Sequence, residues 1–208
     1  GALASVEASD IKGPREIETP FLGPYLDDTS ANHFPRELPA SVAKLLASRK
    51  VVGIVRGRME YGPRALGHRS ILAEPTDTKM KCWLNQRLNR TDFMPFAPVI
   101  LEGRVKQYFK TPDKFELCGK YMTSTVDVTR LCMEKAPGIV HIDGTARPQI
   151  VSRANNPFIH EVLLEFEKLT GLPLCVNTSF NMHDEPIINS SKDAIEALRN
   201  GTVYALVL

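Results

Sequence analysis

The stretch RGRMEYGPRALGHR, residues 56–69, directly follows a short run of mostly β-branched residues, VVGIV, at residues 51–55. Such a run is typical of a buried strand, so the pattern predicts a strand that delivers the stretch at its end. The stretch contains three glycines and Pro63, which exclude a continuous helix. It also contains four arginines and a single acid, Glu60. A Gly-rich turn of this kind is suited to phosphate or carboxylate oxygens, because each guanidinium offers paired donors.

Ordinary surface arginines are the alternative interpretation of this stretch. Arginine is mostly exposed in folded proteins, and isolated arginines in loops are usually solvated. Composition alone leaves both interpretations open. From the stretch we take Arg58, Arg64 and Arg69 as candidate contacts to a nucleotide or to another anionic substrate.

Length and composition describe an ordinary globular chain. The 208 residues are 43% hydrophobic and 24% charged, which is enough for one large α/β domain or two small ones. A net charge of +2 argues against a nucleic-acid or membrane-surface role driven by bulk charge. No apolar run approaches the roughly 18 residues of a membrane helix, and no signal-peptide pattern begins the chain. We therefore expect a soluble, cytoplasmic protein that does not contact the membrane.

The four cysteines have no C-x-x-C spacing and lie mostly among apolar residues. Buried thiols in a reducing compartment are the expected state, ahead of disulfides or zinc. The chain also lacks a Walker-type G-x-x-x-x-G-K-[ST], a G-x-G-x-x-G and a G-x-S-x-G motif. No Cys/His spacing supports a metal site. If phosphate binds, it is expected to bind to arginine side chains and not to a glycine-rich backbone loop.

The first 36 residues differ from the rest of the chain. They carry Pro14, Pro20, Pro24 and Pro35 and show no sustained hydrophobic periodicity. We expect residues 1–36 to be a linker or arm that comes from a missing N-terminal domain, and residues 37–208 to form one domain.

Helical and strand patterns alternate along residues 37–208. The predicted helices begin at Pro39, Thr76, Asn156-Pro157 and Lys192, and the third of them ends at Gly171. The predicted strands are 51–55, 70–73, 99–101, 121–128, 138–144, 150–151, 174–176 and 203–208. This alternation predicts a single α/β domain with a twisted mixed β-sheet flanked by helices.

Two further turns carry polar side chains at predicted strand ends. In the segment 138–144, His141 and Asp143 alternate with apolar residues, so both would face one side of a strand. The strand 174–176 delivers Asn177-Thr178-Ser179-Phe180-Asn181. In α/β sheets such turns commonly form a ligand crevice at one edge.

The polar groups of these turns suit a phosphorylated ligand. Arginines neutralise phosphate charge, amides and hydroxyls orient neutral groups, and Asp143 could reach a ligand through Mg²⁺ or a hydroxyl. The alternatives are a turn or helix cap for Asn177 and Ser179, and strand-end hydrogen bonding for the pair His141 and Asp143. For Arg87 and Arg90 the alternative is stabilisation of a helix C-terminus.

Four ordered motifs carry a family resemblance. They are GRMEYGPRALGHRSIL at 57–72, RTDFMPFAP at 90–98, HIDGTARPQ at 141–149 and LPLCVNTSFNMHDEPI at 172–187. Over residues 22–208 the chain resembles the C-terminal domain of the NodU/CmcH-type O-carbamoyltransferases. The resemblance implies a YrdC-like fold that binds ATP and carbamoyl phosphate and forms carbamoyl-adenylate. An N-terminal ASKHA-like domain of the same polypeptide would then transfer the carbamoyl group to a small-molecule hydroxyl acceptor.

The resemblance also implies roles for individual positions. Catalytic roles fall on Arg90, Arg147 and Ser179. The ligand contacts that the resemblance implies also include Arg58 or Arg64, Asn177 and Asn181. Together with residues taken from the polar turns, the candidate substrate- or nucleotide-binding residues are Arg58, Arg64, Arg69, Arg87, His141, Asp143, Asn177 and Asn181. Many relatives have a Lys and an Arg two positions apart before R-P-F-A-P, whereas this chain has Leu88-Asn89-Arg90 and Met94. Arg87 is the first candidate to take the place of the missing lysine.

The function expected from the sequence is therefore that of an adenylate-forming carbamoyltransferase domain. ATP is expected as a substrate, with Mg²⁺ as a candidate companion ion. The alternative is a non-catalytic nucleotide- or RNA-binding module with a basic groove, whose affinity would fall steeply with salt. The chain lacks the clustered Lys-aromatic pattern of single-strand stacking platforms, so nucleic acid is not the expected partner.

Overall fold

The computed structural model describes residues 19–25, 35–89 and 95–208. The strands in chain order are β1 (Val52–Val55), β2 (Arg69–Ala73), β3 (Ala97–Leu101), β4 (Phe109–Lys110), β5 (Val126–Val128), β6 (Thr145–Ala146), β7 (Gln149–Val151), β8 (Leu174–Ser179) and β9 (Ala205–Val207). The helices are α1 (Leu38–Ala47), α2 (Thr78–Arg87), α3 (Val105–Tyr108), α4 (Glu116–Lys120), α5 (Arg130–Lys135), α6 (Pro157–Thr170) and α7 (Ser191–Arg199). Of the helices in these ranges, none is long and apolar enough to cross a membrane.

Six strands form a mixed sheet in the order β7-β3-β8-β2-β1-β9. The outer pairs β7/β3 and β1/β9 are parallel, and the three inner pairs are antiparallel. A second, smaller antiparallel sheet has the order β4-β5-β6. The prediction of an α/β fold with a mixed sheet flanked by helices is confirmed.

The sheet separates two hydrophobic clusters, one on each face. Within β2, Ile71 and Ala73 belong to the cluster beneath α2, α5 and α7, whereas Leu72 belongs to the cluster beneath α1 and α6. Successive side chains of a strand point to opposite faces, so a strand with apolar residues at every position is buried on both sides. The central strands therefore form a rigid base for the turns that leave them.

The longest helix begins and ends where the sequence predicts. The Asn156 side chain accepts a hydrogen bond from the Ile159 backbone N–H at 3.0 Å, Pro157 occupies the first turn, and Gly171 ends the helix with φ of 73°. Each feature satisfies or removes a backbone group that a helix end leaves unpaired. The start of α7 follows the same rule, because Ser190 accepts from the Asp193 N–H at 3.2 Å.

The predicted strand at residues 138–144 is wrong. A 3₁₀ turn covers Pro137–Ile139, and the chain then turns again before β6 begins at Thr145. Ile142 is fully exposed, so the polar–apolar alternation here does not reflect two faces of a sheet. Gly144 has φ of 78°, a left-handed conformation that favours glycine. The local turn chemistry outweighs the β propensity of the residues.

Part of the predicted N-terminal arm lies against the arginine-rich stretch. The Gly23 N–H donates to the Met59 carbonyl, and the Met59 N–H donates to the Pro24 carbonyl, both at 2.9 Å. The Phe21 ring stacks on the His68 ring at 3.5 Å between centroids. Residues 1–18 and 26–34 lie outside the described part of the chain, and the division into an arm and a domain stays a prediction.

All four cysteines are free thiols. Cys132 and Cys175 are buried, as expected, and burial raises the pKa of the Cys132 thiol to about 12. Cys82 is exposed, which differs from the expectation of uniformly buried thiols. A thiol with a raised pKa is a poor nucleophile at neutral pH, so the two buried cysteines serve the core.

Candidate functional site

The arginine-rich stretch folds around its single acid. Glu60 is 4% exposed, and its Oε1 accepts hydrogen bonds from the backbone N–H groups of Leu66, His68 and Arg69 at 2.7, 2.8 and 3.1 Å. A carboxylate that accepts several N–H bonds is a strong local organiser of backbone. Glu60 therefore fixes the turn that connects β1 to β2.

Gly67 allows this turn to approach α6 closely. It has φ of 108°, and an added Cβ would lie only 2.6 Å from the Asn156 Nδ2 atom. The Asn156 side chain donates to the Leu66 carbonyl at 3.2 Å, which joins the turn to the first turn of α6. A larger residue at position 67 would separate the two elements.

Arg69 is a structural residue, which differs from its predicted role as a ligand contact. It is fully buried, and its guanidinium donates to the carbonyls of Arg56 and His68 at 2.9 Å and of Gly57 at 3.1 Å. Burial lowers the pKa of Arg69, and the negative charge of Glu60 partly opposes that shift. Its two terminal nitrogens are bonded to the turn, while its Nε is buried without a partner among the described residues. Arg69 is not among the residues that line the cavity described below.

Arg58 contacts the N-terminal arm. Its guanidinium donates to the carbonyls of Gly23 and Leu22, each at 2.9 Å, and lies over the Tyr25 ring at 5.1 Å. The resemblance implied Arg58 or Arg64 as the ligand contact of the first motif. The geometry favours Arg64, because Arg58 is engaged by the arm.

Five of the predicted site residues line one cavity of about 160 Å³. They come from three separate segments, and they are Arg64, Arg147, Asn177, Ser179 and Asn181. Ala65, Ala97 and Met122 supply an apolar part of the wall. The three segments therefore meet as the sequence predicts, while the binding role of each residue stays a prediction.

The two cavity arginines form an electropositive pair. Burial lowers the pKa of Arg147, and the positive charge of Arg64 lowers it further. The Arg147 Nε atom is buried and has no hydrogen-bonding partner among the described residues. Of the described residues that line the cavity, only Asp184 is acidic, and its side chain is 88% exposed and lies beside His183. An anion in the cavity would relieve the repulsion between the two guanidiniums.

A buried amide network supports the cavity. Asn177, at 1% exposure, donates through Nδ2 to the Ala65 carbonyl at 3.1 Å and to Gln149 Oε1 at 2.6 Å. Gln149 in turn donates to the Leu66 carbonyl at 2.8 Å. Gln149 was not among the predicted site residues, although it is the last residue of the motif HIDGTARPQ. That position in the motif is the signal that could have identified it.

The end of β8 is held by side-chain bonds within its own loop. The Ser179 hydroxyl donates to Asn181 Oδ1 at 2.5 Å, and Asn181 Nδ2 donates to the carbonyls of Met182 and Glu185 at 2.9 and 2.8 Å. These bonds hold the loop that follows β8 against the cavity. Both residues keep a hydroxyl or amide group on its wall.

His141 and Asp143 are not among the residues lining the cavity. Asp143 Oδ1 accepts hydrogen bonds from the backbone N–H and the hydroxyl of Thr145 at 3.0 and 2.7 Å, and these bonds hold the pKa of the Asp143 carboxyl below its usual value. The Thr145 hydroxyl also lies 3.0 Å from His141 Nδ1. The structure thus gives both residues the local hydrogen-bonding role that the sequence left open, and a ligand contact through Asp143 is not supported.

Arg87 lies at a different cavity. It donates to the Gly201 carbonyl at 3.0 Å, lies over the Trp83 ring at 5.2 Å and lines a cavity of about 640 Å³ beside α7. As a cation in the last turn of α2 it also complements the helix dipole. Arg87 is not among the residues that line the first cavity, although Asn181 lines both cavities, and its role as a substitute for the missing lysine stays a prediction. Arg90 lies outside the described residues, and its catalytic role stays a prediction.

The residues around the first cavity do not fit a resident Mg²⁺ site. Mg²⁺ in proteins is held by carboxylates together with substrate phosphates and water. Within residues 19–25, 35–89 and 95–208 no group of three His, Cys, Asp or Glu side chains comes together.

Solved structures define the class of this fold. Full-length HypF in its phosphate- and nucleotide-bound form aligns with a TM-score of 0.59 at 22% identity, over 82% of this chain and 24% of that chain. The P. abyssi Sua5 complexed with L-threonine aligns with a TM-score of 0.57 at 12% identity, over 84% of this chain and 47% of that chain. At such identities the similarity shows the fold alone, which is of the YrdC/Sua5-like class.

The sequence places the chain within a narrower group. The family model described as carbamoyltransferase C-terminus matches residues 43–208, and the chain belongs to this family. Nodulation protein U of Rhizobium fredii is 42% identical over 85% of this chain and 30% of that protein's length. The chain spans about a third of the length of the curated relatives it matches. The family resemblance identified from the four motifs is confirmed.

Proposed function

We propose that the cavity binds carbamoyl phosphate and then carbamate together with the α-phosphate of ATP, and that the chain forms carbamoyl-adenylate there. The observation that carries this proposal is the pair Arg64 and Arg147, which line one cavity with Asn177 and Ser179. Paired guanidiniums match phosphate oxygens in geometry and charge. Membership of the carbamoyltransferase C-terminus family supplies the carbamoyl chemistry.

The reaction balances in two steps. Water adds to the carbamoyl carbon of carbamoyl phosphate, the carbon–oxygen bond to phosphate breaks, and carbamate and phosphate result. A carbamate oxygen then attacks the α-phosphorus of ATP, and the bond from that phosphorus to the bridging oxygen breaks, which releases pyrophosphate. A further part of the polypeptide would pass the carbamoyl group to a hydroxyl acceptor, with AMP as the leaving group.

Positioning and charge stabilisation account for the roles of the cavity residues. Arg147 and Arg64 would hold phosphate oxygens, and their charge would stabilise the oxygens of the transition state. Asn177 and Ser179 would orient the carbamoyl or the α-phosphate end. Arg90 keeps its predicted role as a second phosphate contact. A reaction of this kind gains most from holding the two substrates together in one geometry.

The size of the cavity sets which part of the substrates it holds. Its volume of about 160 Å³ is small beside the roughly 300–1,000 Å³ of a site for a drug-sized ligand. It suits a carbamoyl group and a phosphate, and the nucleoside of ATP would then lie outside it.

Calorimetry on wild-type and Arg147→Ala chains tests the proposal. We expect Arg147→Ala to weaken the binding of ATP and carbamoyl phosphate at least about tenfold, because a charge-assisted hydrogen bond contributes roughly 1.5–3 kcal/mol. Arg130→Ala is the matched control, since Arg130 is 91% exposed and is paired with Glu134. Pyrophosphate release that requires both substrates would establish the chemical step.

Two results would contradict the proposal. The first is an absence of ATP binding in the wild-type chain, with Arg147→Ala indistinguishable from it. The second is binding to RNA that weakens steeply with salt and does not respond to ATP, which would favour the non-catalytic basic module.

A further inference from the structure

The cavity wall contains a hydrogen-bond acceptor without a donor. Asn177 is 1% exposed, and its Oδ1 has no hydrogen-bonding partner in the described part of the chain. A buried polar atom without a partner is costly, and native proteins retain such atoms mainly where a ligand, ion or water completes them. Because Asn177 lines the cavity, a ligand group in the cavity is a candidate donor for this oxygen.

The orientation of the Asn177 amide follows from two backbone carbonyls. A carbonyl oxygen only accepts hydrogen bonds, so the Asn177 atom that lies 3.1 Å from the Ala65 carbonyl must be the NH₂ group. The Gln149 amide is fixed in the same way by the Leu66 carbonyl, which turns Gln149 Oε1 toward Asn177 Nδ2. Rotating the Asn177 amide by a half-turn would bring its oxygen against two acceptors. The unpaired atom is therefore the oxygen.

The same cavity also contains an unpaired donor. The Arg147 Nε atom is buried and lacks a partner among the described residues. A ligand that satisfies both atoms must offer an N–H or O–H donor to Asn177 and an anionic oxygen to Arg147. Within so small a cavity the two groups must belong to one compact molecule or to two small fragments. Carbamoyl phosphate carries an NH₂ group and a phosphate at the required proximity.

We propose that Asn177 selects the carbamoyl group by accepting a hydrogen bond from its NH₂, and so distinguishes carbamoyl phosphate from acyl phosphates of the same size. This inference rests on the proposed function and adds the specificity of the site. A methyl group in place of NH₂ would fill the same volume and leave the Asn177 oxygen unpaired. Sites built to bond a donor reject the analogue that lacks it.

Two stable phosphonates isolate this one hydrogen bond. Phosphonoacetamide and acetonylphosphonate have the same skeleton and differ in an NH₂ against a CH₃. Calorimetry on the wild-type chain is expected to show the amide binding roughly tenfold more tightly than the ketone. Equal affinities for the two ligands would overturn the inference. If neither ligand binds, the proposed function fails and the inference falls with it.

Two substitutions separate recognition from a structural role. Asn177→Leu removes the acceptor and is expected to reduce the affinity ratio to about one. Asn177→Asp keeps an acceptor oxygen at the same place but sets its second oxygen against the Ala65 carbonyl and Gln149 Oε1. Both ligands should therefore bind more weakly, while the amide keeps its advantage over the ketone. A ratio in Asn177→Leu that stays at the wild-type value would overturn the inference. If Asn177→Leu fails to fold, the inference is tested by the ratio of amide to ketone affinity in the wild-type chain and in Asn177→Asp.

Discussion

The turn at residues 56–69 and the cavity beside it use arginine in two different ways. Arg69 is fully buried, and its guanidinium donates to three backbone carbonyls. Arg147 lines the cavity and lies near the positive charge of Arg64. The Nε atoms of both arginines are buried without a partner among the described residues. Burial lowers the pKa of both side chains. The two guanidiniums differ in the backbone carbonyls that surround them and can accept their hydrogen bonds.

This difference separates a stabilising residue from a candidate binding residue. The protein supplies carbonyl acceptors to both terminal nitrogens of Arg69, so the folded state gains from these bonds directly. The described residues supply a like charge at Arg147, so an anion is the favourable partner there. A shifted pKa alone would have classed the two arginines together, whereas the hydrogen bonds distinguish them.

The largest effect is expected at Arg69. Replacing it with methionine keeps the length of the side chain but removes the guanidinium donor from three carbonyls, of which that of His68 keeps another bond, from the Arg56 N–H at 3.0 Å. We expect the free energy of unfolding to fall by about 3 kcal/mol or more, or the chain to fail to fold. Urea denaturation monitored by circular dichroism measures this change. A loss below about 1 kcal/mol would show that the turn does not depend on Arg69.

His68 is a buried titratable residue of the turn at residues 56–69. Burial lowers the pKa of His68 below that of a free histidine, and the hydrogen bond to the Arg58 carbonyl opposes that shift. The folded state thus favours the neutral ring. Its contribution to stability is complete above about pH 6.5, the pKa of an unfolded histidine, and is lost as the pH falls through the folded pKa.

Unfolding measured between pH 8 and pH 5 tests this pH dependence. The wild-type chain should lose stability on acidification, and His68→Phe should lose less, because phenylalanine keeps a ring to stack on Phe21 but does not titrate. The burial of His141 also lowers its pKa, so the variant should reduce the pH dependence without abolishing it. Identical pH profiles for the two chains would refute the assignment.

The smallest effect on stability is expected at Arg147. Arg147→Met removes one of two like charges and leaves no backbone carbonyl without a donor among the hydrogen bonds described above. We expect the free energy of unfolding to stay within about 0.5 kcal/mol of the wild-type value or to rise slightly. The same substitution at Arg69 serves as the contrast. A loss at Arg147 as large as the loss at Arg69 would erase the distinction between the turn and the cavity.

Local chemistry explains where prediction from the sequence succeeded. Asn156 and Gly171 bound α6 because helix caps depend on residues within one turn of the helix end. The prediction of a strand at residues 138–144 was wrong for a related reason. Its β-branched residues favour a strand, but Asp143 bonds to the Thr145 backbone and Gly144 takes a left-handed conformation, and both are typical of a turn.

The site was predicted in outline but not in its internal contacts. The motifs located Arg147 and Asn177, whereas Gln149 and the organising role of Glu60 were missed. Gln149 donates to a carbonyl 83 residues away in the chain, and no local pattern contains that contact. The presence of one acid among four arginines was the available signal for Glu60, since a lone carboxylate in such a stretch has many donors near it.

The sequence by itself determined the order of most helices and strands, the three polar turns and the family, because caps, hydrophobic periodicity and motifs are properties of short segments. Only the tertiary structure decided which arginine belongs to the turn and which belongs to the cavity. That choice depends on burial and on acceptors from distant segments, such as the carbonyls around Arg69 and the charge of Arg64 beside Arg147. Desolvation and pairing act through space, so identical side chains acquire different roles from the neighbours that folding brings to them.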